Sequence, residues 1–295
     1  MMEKQKFKTI ITSKHKLLDL HLRETFKYRD LIALFVKRDF TAMYKQTILG
    51  PLWAIIQPLL TTFVFSLIFG SLAGLATADI PGTFNVPSFL FYMTGTMLFT
   101  YFSTNVNKVS RIFIDNRATM GKVYYPRLVQ PIAVSLTNLI PFTINFILFL
   151  IVWAVFLITG TTSMHITFWL LFIPLVVLEL IVLSIGLGMI ISSATTKYRD
   201  LQMLVGFGLQ LWQYASPIAY GLCLISLSLN WSDKLILYLC INPLTPIVTT
   251  FRYAMFGFGY FNLMPYIVSW GISLLFFFFG LLLFSKTEKN FMDTI

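Results

Sequence analysis

Charge is the scarcest feature of this sequence. Charged residues make up 12% of its 295 residues, against about 25% in an ordinary soluble domain. Hydrophobic residues make up 57%, including 30 Phe, and the mean hydropathy is +0.78. A soluble domain of this length could not bury so much apolar surface. Since a helix needs roughly 20 apolar residues to cross a bilayer, the composition predicts an all-α integral membrane protein.

The residue types that usually carry chemistry are also few. The sequence has two cysteines and three histidines, and their spacing fits neither a metal site nor a redox motif. Cys223 and Cys240 could pair if both faced outward, but inert thiols buried in the membrane are the preferred interpretation. No Gly-x-x-x-x-Gly-Lys-Ser/Thr loop occurs, so the chain does not hydrolyse ATP by that route. We therefore expect no catalytic residue, metal or cofactor in this chain.

Long runs without charge dominate the rest of the sequence. Six of them are long enough to cross a membrane, at 52–76, 88–107, 132–158, 168–195, 201–225 and 264–285. The fifth contains Gly206, Gly208 and Ser216-Pro217, so we expect a shorter helix that breaks near Pro217. These runs divide the chain into a cytoplasmic N-terminal segment (1–50), a six-span transmembrane domain (51–285) and a cytoplasmic tail (286–295).

Positive charge is concentrated on one side of these spans. Of the 22 Lys and Arg residues, all but Lys234 and Arg252 fall in the N-terminal segment, the loops after the second and fourth spans, or the C-terminal tail. Since Lys and Arg mark cytoplasmic loops, both termini are predicted to face the cytoplasm. A basic face also suits anionic membrane lipids, so the net charge of +10 requires no nucleic-acid partner.

Residues 29–46 have the pattern of an amphipathic helix ahead of the first span. At about 100° per residue, one face collects Leu31, Ile32, Phe35, Val36, Phe40, Met43 and Tyr44. Such a helix lies in the membrane interface, with charged positions at Arg29, Arg38, Asp39 and Lys45. The alternative is a helix packed on a cytoplasmic domain, but about 50 residues are too few for a substantial core. The following Leu49-Gly50-Pro51 predicts an articulation between this helix and the spans.

One ionisable residue lies deep inside a predicted span. Glu179 occupies the middle of Leu-Val-Val-Leu-Glu-Leu-Ile-Val in the fourth run. A charged carboxylate at the bilayer centre costs about 2.5–3.5 kcal/mol, and such residues are functional candidates. The alternative is a protonated side chain hydrogen-bonded to a Ser, Thr or Asn of a neighbouring helix. We favour this structural role because no second buried charge completes a proton relay.

Several short motifs resemble those of a known family of membrane proteins. The stretch RDLIALFVKRDFTAMYKQTILGPLWAIIQPLL, which begins at Arg29, contains Arg38-Asp39, the run from Tyr44 to Trp53, and Gln57-Pro58. Further matches are Asn116 through Lys122 to Pro126-Arg127, Tyr198-Arg199-Asp200, Ser216-Pro217-Ile218-Ala219-Tyr220, Asn242-Pro243 and Phe291-Met292-Asp293. In this order they resemble the membrane subunits of ATP-binding-cassette exporters of O-antigen, teichoic acid and capsular polysaccharide, over nearly the whole chain.

This resemblance implies a six-span subunit that forms a homodimer and binds two ATP-binding-cassette ATPase subunits on its cytoplasmic face. ATP and Mg²⁺ would then be held by those partner chains. In similar exporters, the loop at 108–127 carries a helix that docks into the ATPase. The candidate contacts are Asp115, Asn116, Arg117, Lys122, Arg127 and Arg199. The alternative is a solvated basic loop that only satisfies the topology.

Aromatic residues inside the spans are candidates for a substrate path. Aromatic rings can stack on the apolar faces of sugars, although most of the Phe residues are better explained by lipid contact and interface anchoring. The channel candidates are Phe99, Tyr101, Phe102, Trp212, Tyr214 and Tyr220. The semi-apolar outer segment at 226–263 suits short re-entrant helices, and the resemblance implies an outer gate there.

The function that the resemblance implies is ATP-driven export of a lipid-linked polysaccharide, O-antigen or a similar glycan. The chain would sit in the inner (cytoplasmic) membrane, and the glycan would pass through a channel at the homodimer interface. Two other classes stay open. One is a drug or small-lipid exporter permease of the same fold. The other is a secondary transporter or channel, for which internal repeats are expected that this sequence lacks.

Overall fold

The computed structural model describes residues 25, 27–45, 47–73, 86–116, 125–159, 168–198, 200–222, 234–257 and 259–291. Every regular element within these ranges is helical. The α-helices are α1 (Arg29–Tyr44), α2 (Trp53–Phe65), α3 (Ser88–Ser110), α4 (Ile112–Asp115), α5 (Val129–Ile158), α6 (Ile173–Thr195), α7 (Leu201–Tyr214), α8 (Lys234–Ile241), α9 (Leu244–Phe256) and α10 (Leu263–Phe291). Short 3₁₀ segments at Gly50–Leu52 and Phe168–Phe172 lead into α2 and α6, and a π-helical segment at Ser66–Leu72 extends α2.

Four helical segments are long and apolar enough to cross a membrane. They are Gly50–Leu72, Val129–Ile158, Phe168–Thr195 and Leu263–Glu288, and each coincides with a span predicted from the sequence. A fifth candidate consists of α8 and α9, which are bent by 106° relative to each other. Such a bend marks either a broken span or a re-entrant loop. The chain is thus a multi-pass helical membrane protein with four or five candidate spans in its described part, and the expected six are not confirmed.

Two of the predicted spans take a different form. Helix α3 has 23 residues, but many are Thr, Ser and Asn, and most of its side chains are buried among other helices. Helix α7 has 14 residues and ends at Tyr214, just ahead of the break predicted near Pro217. Several polar side chains of α3, such as Thr94, Thr96 and Asn105, are therefore kept away from lipid by neighbouring helices, as polar groups in a bundle interior usually are.

Close helix approaches place α6 between α10 and α3. A Cβ atom added at Gly186 would lie 2.6 Å from the backbone nitrogen of Phe277, and one added at Gly188 would lie 2.6 Å from Cβ of Val109. In a membrane, helices associate through van der Waals packing, and small residues let their backbones come close. The two glycines of α6 therefore determine how tightly this layer packs.

Two large hydrophobic clusters fill the bundle, and a third, of three residues, joins α8 to Leu222. The larger one joins α3, α5, α6 and α9 and includes Phe102, Phe149, Val176, Leu180 and Phe251. The smaller of these two joins α1, α3, α4, α5, α6 and α10 and includes Phe35, Val109, Phe113, Tyr125 and Phe284. The ring of Phe113 stacks on that of Phe284, with centroids 4.6 Å apart. The smaller cluster therefore ties α1 and the end of α10 to the same end of the bundle.

The predicted amphipathic helix is present as α1. Phe35 is buried and meets the Tyr125 ring edge-on at 5.6 Å, while Leu31, Ile32 and Val36 pack around it. The apolar face of α1 thus lies against the protein's own residues. Its position in a membrane interface stays a prediction.

The charged residues of α1 lie away from that cluster or pair with each other. Arg29 is highly exposed, and Lys45, just after the helix, is exposed as well. Arg38 Nε donates to Asp39 Oδ1 at 2.8 Å, and the Arg38 guanidinium lies 4.7 Å from the ring centroid of Phe35. The charge of Asp39, which interrupts the apolar face in the sequence, is therefore compensated by the neighbouring Arg38.

The chain passes from α1 to α2 through Gly50. Gly50 has a φ of +51°, and no atom lies within 4 Å of where its Cβ would be. This left-handed conformation favours glycine, since an L side chain is strained there. The break predicted at Leu49-Gly50-Pro51 therefore has a backbone basis.

Candidate functional site

A cleft of about 350 Å³ opens between α2, α3 and α5, with the end of α1 at its edge. We call it the polar cleft. Its lining residues are Met43, Tyr44 and Thr47 from the end of α1 and the following turn, Trp53, Ala54, Gln57, Pro58 and Thr61 from α2, Met97, Thr100, Tyr101, Thr104 and Lys108 from α3, and Asn138, Pro141, Phe142 and Asn145 from α5. Most of them carry an amide, a hydroxyl or a charge. Such a cavity beside apolar spans suits water or a polar ligand.

The lining includes one cation, Lys108, and no acidic residue. The Lys108 ammonium donates a hydrogen bond to Asn138 Oδ1 at 2.9 Å. The carboxylate of Asp39 acts on Lys108 electrostatically, but Asp39 already accepts a hydrogen bond from Arg38. In the part of the chain that the structure describes, no carboxylate forms an ion pair with Lys108. The cleft therefore carries a net positive charge.

A chain of hydrogen bonds among Asn138, Asn105, Ser184 and Ser135, which we call the polar ladder, continues from Lys108 into the bundle. Asn138 Nδ2 donates to Asn105 Oδ1 at 3.1 Å. Asn105 Nδ2 in turn donates to Ser184 Oγ at 2.7 Å and to Ser135 Oγ at 3.3 Å. The ladder connects α3, α5 and α6 and is buried throughout. Since each of these amides and hydroxyls has a hydrogen-bond partner, the ladder holds Asn138 in place, and Asn138 in turn fixes the position of Lys108.

Further polar groups lie along the walls of the polar cleft. Asn145 Oδ1 is buried without a hydrogen-bond partner in the described structure. Gln57 and Thr100 are exposed at the surface. Burial raises the pKa of Tyr44, so its hydroxyl remains a protonated donor at neutral pH. The cleft can thus offer donors and acceptors along its walls and one fixed cation.

The candidate ATPase-coupling residues fall into three groups. Asp115 is exposed and pairs with Arg111 at 3.6 Å, and Asn116, just after α4, bonds through its amide to the Ile112 carbonyl at 3.3 Å. Arg127 Nη1 instead donates to the backbone carbonyl of Glu288 at 2.6 Å, which ties the start of α5 to α10. The others, Arg117, Lys122 and Arg199, lie outside the described residues. A coupling role stays a prediction for all six.

Three candidate channel aromatics lie inside the bundle. Phe99, Tyr101 and Phe102 are all buried in the larger hydrophobic cluster. Tyr101 also reaches the polar cleft, and its hydroxyl lies 2.8 Å from Ser135 Oγ. Within one copy of the chain, Phe99 and Phe102 thus serve as packing residues, while Tyr101 joins the cleft to the polar ladder.

The other candidate aromatics lie at the end of α7. Trp212 Nε1 donates to Asn242 Oδ1 at 2.9 Å, and the Asn242 amide donates to the Ala215 carbonyl at 3.0 Å. The Tyr220 hydroxyl donates to the Tyr214 carbonyl at 3.2 Å. The bonds to Ala215 and Tyr214 satisfy backbone carbonyls that the end of α7 leaves without helical partners, and the bond from Trp212 holds the Asn242 side chain in place. Trp212 and Tyr220 therefore organise the break after α7, and Asn242 anchors it to the start of α9.

One face of α7 is left exposed by the described part of a single copy of the chain. It carries Met203, Phe207, Gln210, Leu211 and Tyr214, all exposed and spaced as one helical face. We call it the α7 face. An amide on a lipid-facing surface would lose its hydrogen bonds to water at a cost. Gln210 therefore indicates that this face meets water or another protein surface.

Glu179 is fully buried in α6. Ser269 of α10 donates to its Oε1 at 2.5 Å, while Oε2 has no partner in the described structure. The same Ser269 hydroxyl lies 2.9 Å from the Pro243 carbonyl. The partner is thus a serine on a neighbouring helix, as the structural interpretation expects. That the Glu179 carboxyl is protonated stays a prediction, and so does the alternative of a functional role.

Arg252 is the residue that sequence reasoning missed. The distribution of Lys and Arg marks it only as one of two cations outside the basic segments, whereas its side chain is buried in α9. Its Nη1 donates to the carbonyl of Pro217 at 2.6 Å, and its Nη2 to the carbonyls of Phe91 and Ile218 at 3.3 Å. Its Nε donates to Thr94 Oγ1 at 3.2 Å. A lone Arg in the apolar stretch between Pro246 and Gly257 was the signal available in the sequence.

The described residues contain no cluster of three or more His, Cys, Asp or Glu side chains that could hold a metal ion. Cys240 is half-buried, and Cys223 lies outside the described residues. The hypothesis of a disulfide between the two cysteines stays untested.

Comparison with known proteins places the chain among transporter membrane subunits. A family model described as "ABC-2 type transporter" matches residues 30–256. A relative from Myxococcus xanthus, named "O-antigen export system permease protein RfbA", is 26% identical over 93% of this chain and 98% of its own length. Two relatives of the same name from Klebsiella pneumoniae are each 25% identical over 90% of this chain and 95% of their own length.

Proposed function

The chain belongs to the ABC-2 type transporter family, and on that premise we propose that it is the permease subunit of an ATP-driven exporter of a lipid-linked polysaccharide. The observation that carries this proposal is the similarity to O-antigen export permeases along at least 90% of the chain. The motifs of the N-terminal helix, the first span and Asn242-Pro243 lie within residues 30–256, which the family model matches. The predicted resemblance to this family is thereby confirmed.

The channel is proposed to form between two copies of the chain. In support, the α7 face is left uncovered by the described part of one copy and mixes apolar, amide and aromatic side chains. The rings of Phe207 and Tyr214 can stack on sugars, and the amide of Gln210 can bond to their hydroxyls. Two such faces opposite each other would make a passage that holds a glycan weakly at many points, which permits movement.

Energy is proposed to come from two ATP-binding-cassette ATPase subunits on the cytoplasmic side, which hold ATP and Mg²⁺. The smaller hydrophobic cluster supports this arrangement, because it packs α1 and α4 against the same end of the bundle. Asp115 and Asn116 are at the end of α4, where they can form charge-assisted hydrogen bonds to a partner. Movement of the ATPases would then shift α1 and α4 as one body relative to α2, about the break at Gly50.

Deletion of the gene for this chain in its own organism tests the proposal. We expect a lipid-linked polysaccharide to accumulate inside the cell and to be lost from the surface, with recovery when the wild-type chain is restored. Glycan can be measured by surface staining of intact cells, with staining of permeabilised cells as the control. Normal surface glycan together with increased sensitivity to drugs would instead identify a drug exporter of the same fold.

A further inference from the structure

We propose that the polar cleft binds the phosphate or pyrophosphate headgroup of a membrane lipid, with Lys108 as its cationic contact. The proposal deepens the function proposed above and rests on it for one choice, that the natural ligand is the lipid that carries the exported glycan. The binding chemistry itself comes from the cleft.

The first argument is electrostatic. Lys108 is half-buried at the end of a helix whose other side chains are mostly buried. Holding a charge away from water is costly unless an opposite charge or good hydrogen bonds compensate it. The described residues supply a single amide oxygen, that of Asn138. Among the described residues, the acid that acts on Lys108 is Asp39, and it is paired with Arg38. An anion bound in the cleft would place an opposite charge beside the Lys108 ammonium and so compensate its burial.

The second argument is geometric. An ammonium group has three N–H donors, and the polar ladder engages one of them. The remaining donors belong to a side chain that lines the cleft. Thr104 and Tyr44 add hydroxyl groups to the same lining. Phosphate oxygens accept several hydrogen bonds at once, and a positioned cation with neutral donors is how proteins commonly bind them.

The third argument concerns the rest of the ligand. The mouth of the cleft is bordered by exposed residues of α2, Trp53 and Gln57. Over the next two turns of α2, Leu60, Phe63 and Val64 are exposed and apolar. A hydrocarbon chain can lie against that surface in the bilayer while its headgroup enters the cleft. The arrangement therefore fits an amphiphile with an anionic head better than a free anion.

The test uses the purified full chain in nanodiscs of phosphatidylcholine. Three probes are titrated by microscale thermophoresis, namely farnesyl pyrophosphate, inorganic pyrophosphate and a short-chain phosphatidylglycerol. Lys108→Met should weaken binding of farnesyl pyrophosphate by about tenfold or more, the value expected for one lost charge-assisted contact. Lys108→Arg keeps the charge and should stay within about threefold. The matched control, Lys37→Met, removes an exposed lysine of α1 and should change nothing.

A second measurement uses the wild-type chain and does not depend on how the variants fold. Amine acetylation followed by mass spectrometry should show that farnesyl pyrophosphate protects Lys108, while Lys37 remains reactive. Equal affinity of Lys108→Met and wild type, or an unprotected Lys108, would overturn the proposal.

The three probes also separate the possible ligands. Tight binding of farnesyl pyrophosphate alone supports a lipid pyrophosphate, and equal binding of phosphatidylglycerol supports a general site for anionic lipids. Inorganic pyrophosphate that binds as tightly as farnesyl pyrophosphate would overturn the role given to the hydrocarbon chain. Since binding is measured on the isolated chain, it can succeed even if the deletion experiment shows that polysaccharide is not the cargo, and it can fail even if export is confirmed.

Discussion

Arg252 shows how a charge can be kept inside a membrane protein without a counter-ion among the described residues. Its guanidinium is surrounded by three backbone carbonyls and a threonine hydroxyl and lies 3.7 Å from the Phe91 ring centroid. Two of these carbonyls, of Pro217 and Ile218, follow the end of α7, where helical partners are missing. Arg252 thus satisfies backbone groups that lipid could not. It pins the start of α3 and the turn after α7 to α9.

Replacing Arg252 tests that interpretation. Arg252→Met should destabilise the protein by about 3–5 kcal/mol, because it leaves several buried carbonyls unpaired. The stability of Arg252→Lys should lie between those of the wild type and Arg252→Met, since an ammonium cannot reproduce the planar set of donors of a guanidinium. Thermal unfolding in detergent, followed by light scattering or intrinsic fluorescence, measures the effect. Arg29→Met is the matched control, because Arg29 is highly exposed and its loss should leave the midpoint unchanged. A midpoint for Arg252→Met equal to that of the control would contradict this role.

At the scale of the helix, the close contact between α6 and α10 depends on two glycines. A Cβ at Gly186 would meet the backbone of Phe276 and Phe277, and one at Gly280 would meet the carbonyl oxygen of Gly186. Backbone atoms cannot rotate away as the end of a side chain can. Any larger residue at either position must therefore separate the two helices. Glu179 and Ser269, which are hydrogen-bonded to each other, lie on the same two helices.

Gly186→Ala should consequently destabilise the fold by about 1–3 kcal/mol, the usual cost of overpacking. The matched control is Gly271→Ala in α10, where no atom lies within 4 Å of the added Cβ. There the substitution should be neutral or slightly stabilising, since Ala favours a helix more than Gly does. Size-exclusion chromatography of heated, detergent-solubilised samples compares the two. Equal losses for both variants would show that the helix contact is not the cause.

Helices were predictable where hydrophobicity determines them, and contacts between distant segments were not. The charge-free runs at 132–158 and 168–195 correspond to α5 and to α6 with its leading 3₁₀ segment. The run at 201–225 was too long, because local chemistry around Pro217 ends α7 at Tyr214. The polar cleft was not predictable from the sequence for a related reason. Asn138 is 30 residues away from Lys108 and 33 from Asn105 in the sequence, and hydropathy cannot reveal that α3 and α5 bring them together.

At the scale of the whole molecule, the proposed homodimer can be tested by cross-linking. A cysteine at Leu211 on the α7 face should form a disulfide between two copies when membranes are oxidised. Ile147 on α5 is the matched control, since its exposure of 52% is close to the 53% of Leu211, yet it lies on a different helix. Both variants are made in a chain whose Cys223 and Cys240 are replaced by serine. Non-reducing electrophoresis should show a dimer for Leu211→Cys only, and a dimer for Ile147→Cys alone would move the interface to α5.

The position of α1 has a thermodynamic consequence. Its apolar face is fixed to the smaller hydrophobic cluster through Phe35, while Met43 and Tyr44 at its end line the polar cleft. A displacement of α1 therefore changes the cleft at the same time. If the binding of nucleotide by the ATPases shifts α1 and alters lipid affinity by a given factor, then a bound lipid must alter nucleotide affinity by that same factor. For a tenfold effect this shared free energy is about 1.4 kcal/mol. Helix α1 would thus couple the binding of the lipid to the binding of nucleotide, although the two ligands do not touch each other.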